Sequence, residues 1–262
     1  MQLIEVDDPA DPRLSDFRDL TDADVRPDRR GVVIAEGVNV VQRLAGSPYP
    51  MRAVVGVRSR IEGLAPTLGP LNVPAYVMDK WALSTLVGFR VTRGVLASAD
   101  RLPAPPLDPL LSRARRVAVL ESLNDFENLG SLFRNAAAFG LDAVLLDQRC
   151  ADPLYRRSVR VSMGHVLRIP FAVLPDPWPD ALDRLRRHGI RVLAMTPRSS
   201  ATRLSEVRPP LRCAVLLGAE GPGLTDGALA RADELVRIPM APGVDSLNVA
   251  TAAAIAFAHL SC

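Results

Sequence analysis

The chain has 262 residues, of which 48% are hydrophobic, and carries a formal net charge of +3. This allows one large or two smaller domains with ordinary cores. No run reaches the roughly 18 uncharged apolar residues of a membrane span, and the acidic start lacks the apolar stretch of a secretory signal. Three cysteines without metal-ligand spacing argue against a disulfide framework or a metal site. We therefore expect a cytoplasmic protein.

Charge is distributed unevenly along the chain. Residues 1–28 carry a net charge of −6 and residues 29–104 a net charge of +6, while residues 153–175 contain four arginines and no acid. Basic stretches of this kind can bind polyanions. Charge alone favours the simpler interpretation of solvated helix faces.

The first hundred residues alternate between strand and helix patterns. In chain order they predict a short helix capped by Ser15, a strand in GVVIAEG, a helix from Asn39 to a stop at Gly46, a strand in MRAVVGV, a strand in VPAYVMD, a helix in KWALSTLVG and a closing segment GVLASAD. This alternation predicts a small α/β domain over residues 1–104.

A proline-rich segment, Leu102–Leu111, follows this domain. It contains four prolines, which fix the backbone and remove hydrogen-bond donors, so we expect no regular element to cross it. Residues 105–112 are therefore predicted to form an interdomain linker.

The remainder, residues 113–262, shows a stronger alternation. Strand patterns occur in RVAVLESL, LDAVLLD, FAVL, IRVLAM and CAVLLG, and helix patterns in NLGSLFRNAAAFG, PLYRRSVRVSMG, PWPDALDRLRRHG and SLNVATAAAIAFAHL. Continuous apolar strands separated by helices predict a mostly parallel sheet buried on both faces. Ligands of such sheets bind beyond the carboxyl ends of the strands.

Three loops at such strand ends carry polar residues. The first, ESLNDFENLGSLFRN, places Asn128 where a helix N-cap belongs and Arg134 near the second turn. A helix N-terminus with an arginine can hold a phosphate, although a capped surface helix with a solvated arginine explains the loop equally well.

The second loop, LLGAEGPGL, has glycines spaced G-x-x-G-x-G around Glu220. This spacing matches neither a dinucleotide-binding fingerprint nor a P-loop. The third leads from IPM through Pro242-Gly243 into the last helix, predicted to be capped by Ser246 and to carry Asn248 at its start.

Taken in order, these loops resemble the three signature motifs of the SpoU (TrmH) family of RNA methyltransferases, in the SPOUT superfamily. The matching residues are Asn128, Gly130 and Arg134; Gly218, Glu220, Gly221 and Gly223; and Pro239, Met240, Ser246, Leu247, Asn248 and Ala250. Ser162 and Gly164 match a further small-residue pair between the first two motifs. The resemblance covers about residues 113–262.

The resemblance implies a fold and a cofactor that spacing alone did not give. It implies a C-terminal trefoil knot and a homodimer whose site combines both subunits. It also implies bent S-adenosylmethionine held by Leu217, Gly218, Glu220, Gly221, Ile238, Met240, Ser246 and Leu247. The first domain resembles, more weakly, a ribosomal-protein-like RNA-binding domain, with Thr92-Arg93-Gly94 where relatives often have His-Gln-Gly.

The implied reaction is methyl transfer to a ribose 2′-hydroxyl, most simply in ribosomal RNA. The implied catalytic residues are Arg134, Asn128, Glu220, Ser246 and Asn248. A guanidinium is a poor base, so we assign Arg134 to orientation and phosphate binding. The alternative role of Glu220 is structural, holding the glycine-rich loop in place. The predicted RNA contacts are Arg90, Arg93, Arg156, Arg157 and Arg160, for each of which a solvated or salt-bridged role is the alternative.

Three other functions stay open at this point: a transfer RNA methyltransferase, a non-catalytic RNA-binding or ribosome-assembly factor, and a nucleotide-dependent enzyme acting on small molecules. The absence of a dinucleotide fingerprint argues against the last.

Overall fold

The structure, a computed structural model, describes residues 2–21 and 31–261. The chain divides into two compact units. The first comprises Met1–Pro103 together with Asp152–Arg168, and the second Ala104–Ala151 together with Ile169–Cys262. Each unit contains one sheet.

The first unit is built on a five-stranded mixed sheet of order β1-β4-β3-β5-β2. Its strands are β1 (Gln2–Glu5), β2 (Val32–Glu36), β3 (Met51–Gly56), β4 (Pro74–Val77) and β5 (Val95–Asp100). Strands β1 and β3 run parallel to β4, whereas β5 is antiparallel to its neighbours β2 and β3.

Helices cover this sheet with their apolar faces. They are α1 (Val38–Ala45), α2 (Arg58–Gly63), α3 (Ala65–Leu68) and α4 (Lys80–Val87). In α4 the buried residues are Ala82, Leu83, Leu86 and Val87, a spacing that places them on one helix face. They pack into a core that contains Phe17 and Val55.

The second unit is built on a seven-stranded sheet of order β10-β12-β9-β11-β6-β7-β8. Its strands are β6 (Arg116–Glu121), β7 (Ala143–Leu146), β8 (Phe171–Val173), β9 (Arg191–Met195), β10 (Thr202–Arg203), β11 (Cys213–Gly218) and β12 (Glu234–Arg237). Every pairing between these strands is parallel. The prediction of a mostly parallel sheet is confirmed.

The remaining helices are α5 (Leu107–Arg113), α6 (Phe126–Ala138), α7 (Arg156–Val161), α8 (Leu182–Arg187), α9 (Asp226–Arg231) and α10 (Val249–Leu260). All belong to the second unit except α7. Helices α6 and α10 pack against each other, and the side-chain amide of Asn135 donates to the carbonyl of Ala250 at 2.8 Å. The first and third motif loops therefore lead into two helices in direct contact.

Helix α7 lies in sequence between β7 and β8 of the second unit, but packs in the first. Its neighbour there is β2, and the Arg43 guanidinium donates to the carbonyl of Met163 just beyond α7. A Cβ at Gly164 would lie 3.2 Å from the Cβ of Arg43, so the segment passes close to α1. The predicted boundaries placed this segment wholly with residues 113–262.

The predicted linker is partly helical. Helix α5 begins after Pro106, and Pro109 occupies its first turn. Proline is tolerated there because the first amides of a helix lack partners in any case. The helix therefore occupies the second half of Leu102–Leu111, and no helix or strand crosses the whole segment.

Several predicted helix caps were also wrong. The 3-10 helix Pro12–Phe17 is capped by Asp11 rather than Ser15, and α1 begins after Gly37 without a side-chain cap from Asn39. The stop of α1 at Gly46 is as predicted. Across the described ranges, no helix combines the length and hydropathy that crossing a bilayer requires.

Candidate active site

The glycine-rich loop after β11 folds back tightly on the end of its strand. A Cβ at Gly218 would lie 2.4 Å from the carbonyl carbon of Gly223, so no side chain fits there. The amide of Gly223 donates to the carbonyl of Ala219 at 3.1 Å. Gly221 and Gly223 have φ of +87° and +68°, a left-handed conformation that glycine adopts without strain. The glycines therefore allow the chain to turn sharply at the end of β11.

A cavity of about 680 Å³ opens beside this loop. Its walls come from residues 195–198, residues 217–224, and residues between 238 and 252. The residues predicted to bind the cofactor all line it: Leu217, Gly218, Glu220, Gly221, Ile238, Met240, Ser246 and Leu247. Its volume is typical of a pocket for a small organic ligand.

Asn248 connects the three motifs through one side chain. Its Nδ2 donates to Asn128 Oδ1 at 2.7 Å and to Glu220 Oε1 at 2.8 Å. Its Oδ1 accepts from the amides of Ala250 and Thr251, at 3.0 and 3.1 Å, and so caps α10. The amide therefore fixes the start of α10 and two polar side chains from the other motifs at once.

The caps of α6 and α10 differ from the prediction. Asp125 Oδ1 accepts from the amides of Glu127 and Asn128, at 2.8 and 2.7 Å, and caps α6. The side chain of Asn128 is thereby free to accept from Asn248. Likewise Asn248, not Ser246, caps α10.

Four of the five predicted catalytic residues lie in this region, and Arg134 does not. Asn128, Glu220 and Asn248 are hydrogen-bonded together, and Ser246 lines the cavity. Arg134 is exposed on α6 and is not among the lining residues. Among the described residues, its guanidinium forms neither a hydrogen bond nor an ion pair.

A buried carboxylate, Glu121, holds the far end of the glycine-rich loop. It lies at the end of β6, opposite Gly218 in register, and is 1% exposed. Its oxygens accept from Thr225 N at 3.0 Å, Thr225 Oγ1 at 2.7 Å and Trp178 Nε1 at 2.5 Å. Thr225 also caps α9, so Glu121 links β6 to the segment that follows the loop.

Sequence reasoning missed both Glu121 and the cavity wall at residues 195–198. An acid at the end of an apolar strand was the available signal for Glu121. Residues 195–198 follow β9, and they reach the cavity because β9 pairs with β11, the strand that leads into the glycine-rich loop.

The turn after β6 is held by a second buried acid, Asp147, which is 2% exposed. It accepts from the amide of Ser122 at 3.0 Å, and Ser122 has φ of +55°. Nearby, Cys150 Sγ accepts from the amide of Leu123 at 3.3 Å. Burial, and then the charge of Asp147, raise the pKa of the Cys150 thiol well above its usual range. Cys150 therefore stays a protonated, structural thiol.

One predicted RNA contact, Arg156, forms the salt bridge that was its alternative role. Its Nη1 lies 2.7 Å from Glu36 Oε2, and the two side chains are 11% and 2% exposed. Its guanidinium also lies 4.2 Å from the centre of the Phe89 ring. Arg156 therefore forms a buried ion pair within the first unit. The other four predicted contacts, Arg90, Arg93, Arg157 and Arg160, are exposed.

Within residues 2–21 and 31–261, no group of three or more histidine, cysteine or acidic side chains has an arrangement that could hold a metal ion.

The architecture is shared with solved RNA methyltransferases. An AdoMet-bound rRNA methyltransferase from Sinorhizobium meliloti superposes with a TM-score of 0.84 at 24% identity, covering 99% of this chain and 98% of that one. The SpoU methyltransferase AviRb from Streptomyces viridochromogenes gives 0.79 at 22% identity, covering 96% and 97%. At these identities the likeness defines the fold.

Sequence comparison then gives the family. The SpoU rRNA Methylase family model matches residues 115–258. An uncharacterised tRNA/rRNA methyltransferase of Mycobacterium tuberculosis is 51% identical over 259 residues, covering 97% of this chain and 90% of that protein. The chain is therefore a methyltransferase that belongs to the SpoU rRNA methylase family, as the motifs predicted. The 23S rRNA (guanosine(2553)-2′-O)-methyltransferase RlmP of Bacillus subtilis is 27% identical over 227 residues, covering 87% of each chain.

Proposed function

We propose that the protein transfers the methyl group of S-adenosylmethionine to a ribose 2′-hydroxyl in ribosomal RNA. The observation that carries the proposal is the set of Asn248 hydrogen bonds, which joins the three motifs beside the cavity. Family membership supports the cofactor, and the name of the RlmP relative supports the ribose hydroxyl and ribosomal RNA.

The cavity fits S-adenosylmethionine in size and in chemistry. Apolar walls from Leu217, Ile238 and Leu247 suit an adenine ring, and the glycine-rich loop lets backbone groups approach the ligand closely. When bound, S-adenosylmethionine supplies an electrophilic methyl group on a positively charged sulfur. Glu220 places a carboxylate at the same cavity, where it favours that charge.

The chain's own residues then orient the ribose and the leaving proton. Asn248 holds Asn128 and Glu220 in fixed positions, so these polar groups need no reorganisation when the substrate arrives. Ser246 adds a hydroxyl at the cavity. Arg134 is not the base of this reaction: it binds the substrate phosphate and stabilises the developing alkoxide. The proton of the 2′-hydroxyl passes to solvent water.

Arg134 acts, in this proposal, at the cavity of a second copy. It is exposed and does not line the cavity of its own chain. A homodimer that joins the α6 and α10 surfaces of two copies would supply it, and the exposed Ile255 on α10, at 40%, is consistent with such a surface. We also propose that the C-terminal part of the chain forms the trefoil knot that the family motifs imply.

The first unit is the proposed RNA-binding domain, in keeping with the predicted domain over residues 1–104. Arg90, Arg93, Arg157 and Arg160 offer exposed guanidinium groups for phosphates. The cytoplasm is the compartment we propose, since RNA and S-adenosylmethionine are both present there.

The reaction is tested with S-adenosylmethionine carrying a labelled methyl group and total RNA. A 2′-O-methyl blocks alkaline cleavage at its own linkage, so label should appear in an alkali-resistant dinucleotide. Arg134→Ala should abolish labelling with an unchanged circular dichroism spectrum, whereas exposed Arg187→Ala should retain it. Label on a base would overturn the assigned reaction.

The RNA class is tested by mass spectrometry of nuclease-digested RNA from cells with and without the gene. We expect one ribose methylation to disappear from ribosomal RNA. Its disappearance from transfer RNA would instead establish the alternative that the relatives' name also allows.

A further inference from the structure

The first unit contains a second cavity, which no motif predicted. It has a volume of about 720 Å³ and lies along α4 and the turn that follows it. The lining residues are Lys80, Trp81, Ser84, Thr85, Gly88, Phe89 and Arg90. We call it the α4 groove.

The aromatic ring of Trp81 lines this groove and is largely exposed to solvent. Trp81 is 76% exposed, although tryptophan is usually a largely buried residue. Asp79 Oδ1 accepts from the amide of Trp81 at 2.7 Å and so fixes the start of α4. The opposite face of α4 fills the core of the unit. Trp81 therefore cannot be buried by rotating the helix.

The groove is also positively charged. Lys80 and Arg90 both line it, and none of its seven lining residues is acidic. In the part of the chain that the structure describes, neither cation forms an ion pair. The nearby Asp79 carboxylate is already engaged by the α4 amides. An anionic ligand would thus meet two unneutralised cations beside a flat ring.

The turn at the end of α4 is held rigidly. Phe89 is covered by the guanidinium of Arg156, which pairs with the buried Glu36. Gly88 adopts φ of +80° and closes the helix. The Phe89 ring and the backbone of this turn are therefore positioned before any ligand binds.

We infer that the α4 groove binds an unpaired segment of RNA. A base stacks on the exposed face of Trp81, and flanking phosphates bind Lys80 and Arg90. Aromatic rings bind bases of single strands, whose faces are accessible, and not those of a paired helix. The inference rests on the proposed function and adds the form of RNA that the first unit binds.

Binding is tested without S-adenosylmethionine, by fluorescence anisotropy of a short labelled RNA with an unstructured sequence. Trp81→Ala should weaken binding about tenfold, since one stacked base is lost. Trp81→Phe, which keeps a ring, should bind nearly as the wild type does. Leu71→Ala is the matched control, because Leu71 is also an exposed apolar residue of the first unit, at 39%.

Two further measurements separate stacking from other effects. The chain has two tryptophans, so RNA should quench part of the wild-type fluorescence, and Trp81→Phe should lose that quenching while still binding. Lys80→Ala and Arg90→Ala should each lower the salt dependence of log Kd by about 0.7.

The inference is overturned if Trp81→Ala binds the single strand like the wild type. It is also overturned if Trp81→Ala loses as much affinity for a fully paired duplex of the same sequence as it loses for the single strand. A requirement for Trp81 in binding a protein rather than RNA would overturn it as well. Labelled methyl transfer is assayed separately. If Trp81→Ala binds the single strand and methylates RNA as the wild type does, the α4 groove has no role in RNA binding, and the proposed function is unaffected.

Discussion

At the scale of single residues, Gly218 is the most sterically constrained position of the site. Gly218→Ala places a methyl group against the backbone of Gly223 and Leu224, which cannot rotate away as a side chain can. We expect S-adenosylmethionine to bind at least tenfold more weakly, measured by calorimetry, because the loop must shift. Gly63→Ala is the matched control, since a Cβ there meets nothing within 4 Å; equal affinities would show that the loop adapts.

Glu121 is the second residue whose role can be measured. Glu121→Gln replaces a carboxylate that accepts three hydrogen bonds by an amide with one acceptor oxygen. We expect unfolding free energy to fall by about 1–3 kcal/mol, since bonds to a charged group are the stronger ones. Chemical denaturation measures it. Glu127→Gln, at an exposed position of α6, should change stability little, and a comparable loss there would contradict the assignment.

At the scale of elements, Asn248 combines helix capping with assembly of the site. Asn248→Asp keeps a capping oxygen but loses the Nδ2 donor and faces Glu220 with a second carboxylate. We expect thermal stability near that of the wild type and a loss of methyl transfer of tenfold or more. Asn248→Ala loses both roles and should also lower stability by about 0.5–2 kcal/mol.

Those two variants separate the roles of the cap and the site. If Asn248→Asp methylated RNA as the wild type does, the hydrogen bonds to Asn128 and Glu220 would have no part in the reaction. Methylation labelling and thermal unfolding, measured on the same preparations, give both answers.

The sequence predicted the elements of the second unit better than their ends. Asp125 and Asn128 are both good caps three positions apart, and only the backbone angles at Asp125 decide between them. The same holds for Ser246 and Asn248. Because α6 begins earlier than predicted, Arg134 lies in its third turn rather than its second.

At the scale of the whole molecule, the predicted features were those encoded locally. Apolar runs predicted the parallel sheet, and most of the residues of the second and third motifs line one cavity. The position of α7 in the first unit depends on partners far apart in sequence, such as Glu36 with Arg156. A single sequence gives no sign of such a pairing, so for Arg156 an RNA contact and a salt bridge were both open.

Buried thiols make stability depend on alkaline pH. Burial raises the pKa of Cys213 as well as that of Cys150 above the ordinary value of 9.0. Above that value the unfolded chain releases thiol protons that the folded chain keeps, so stability falls as pH rises, by up to about 1.4 kcal/mol per pH unit for each group. Thermal unfolding at increasing pH measures the fall. Cys150→Ser should reduce it, and an equal fall in that variant would exclude this cause.

The claim on which the account depends is that the three motif loops surround one methyl donor. A crystal structure determined with S-adenosylmethionine tests it directly. We expect density for the donor in the cavity lined by Gly218, Met240 and Leu247, with its methyl group facing Arg134 of one of two copies. Donor density elsewhere on the chain, or no Arg134 near that methyl group in any copy, would contradict the account.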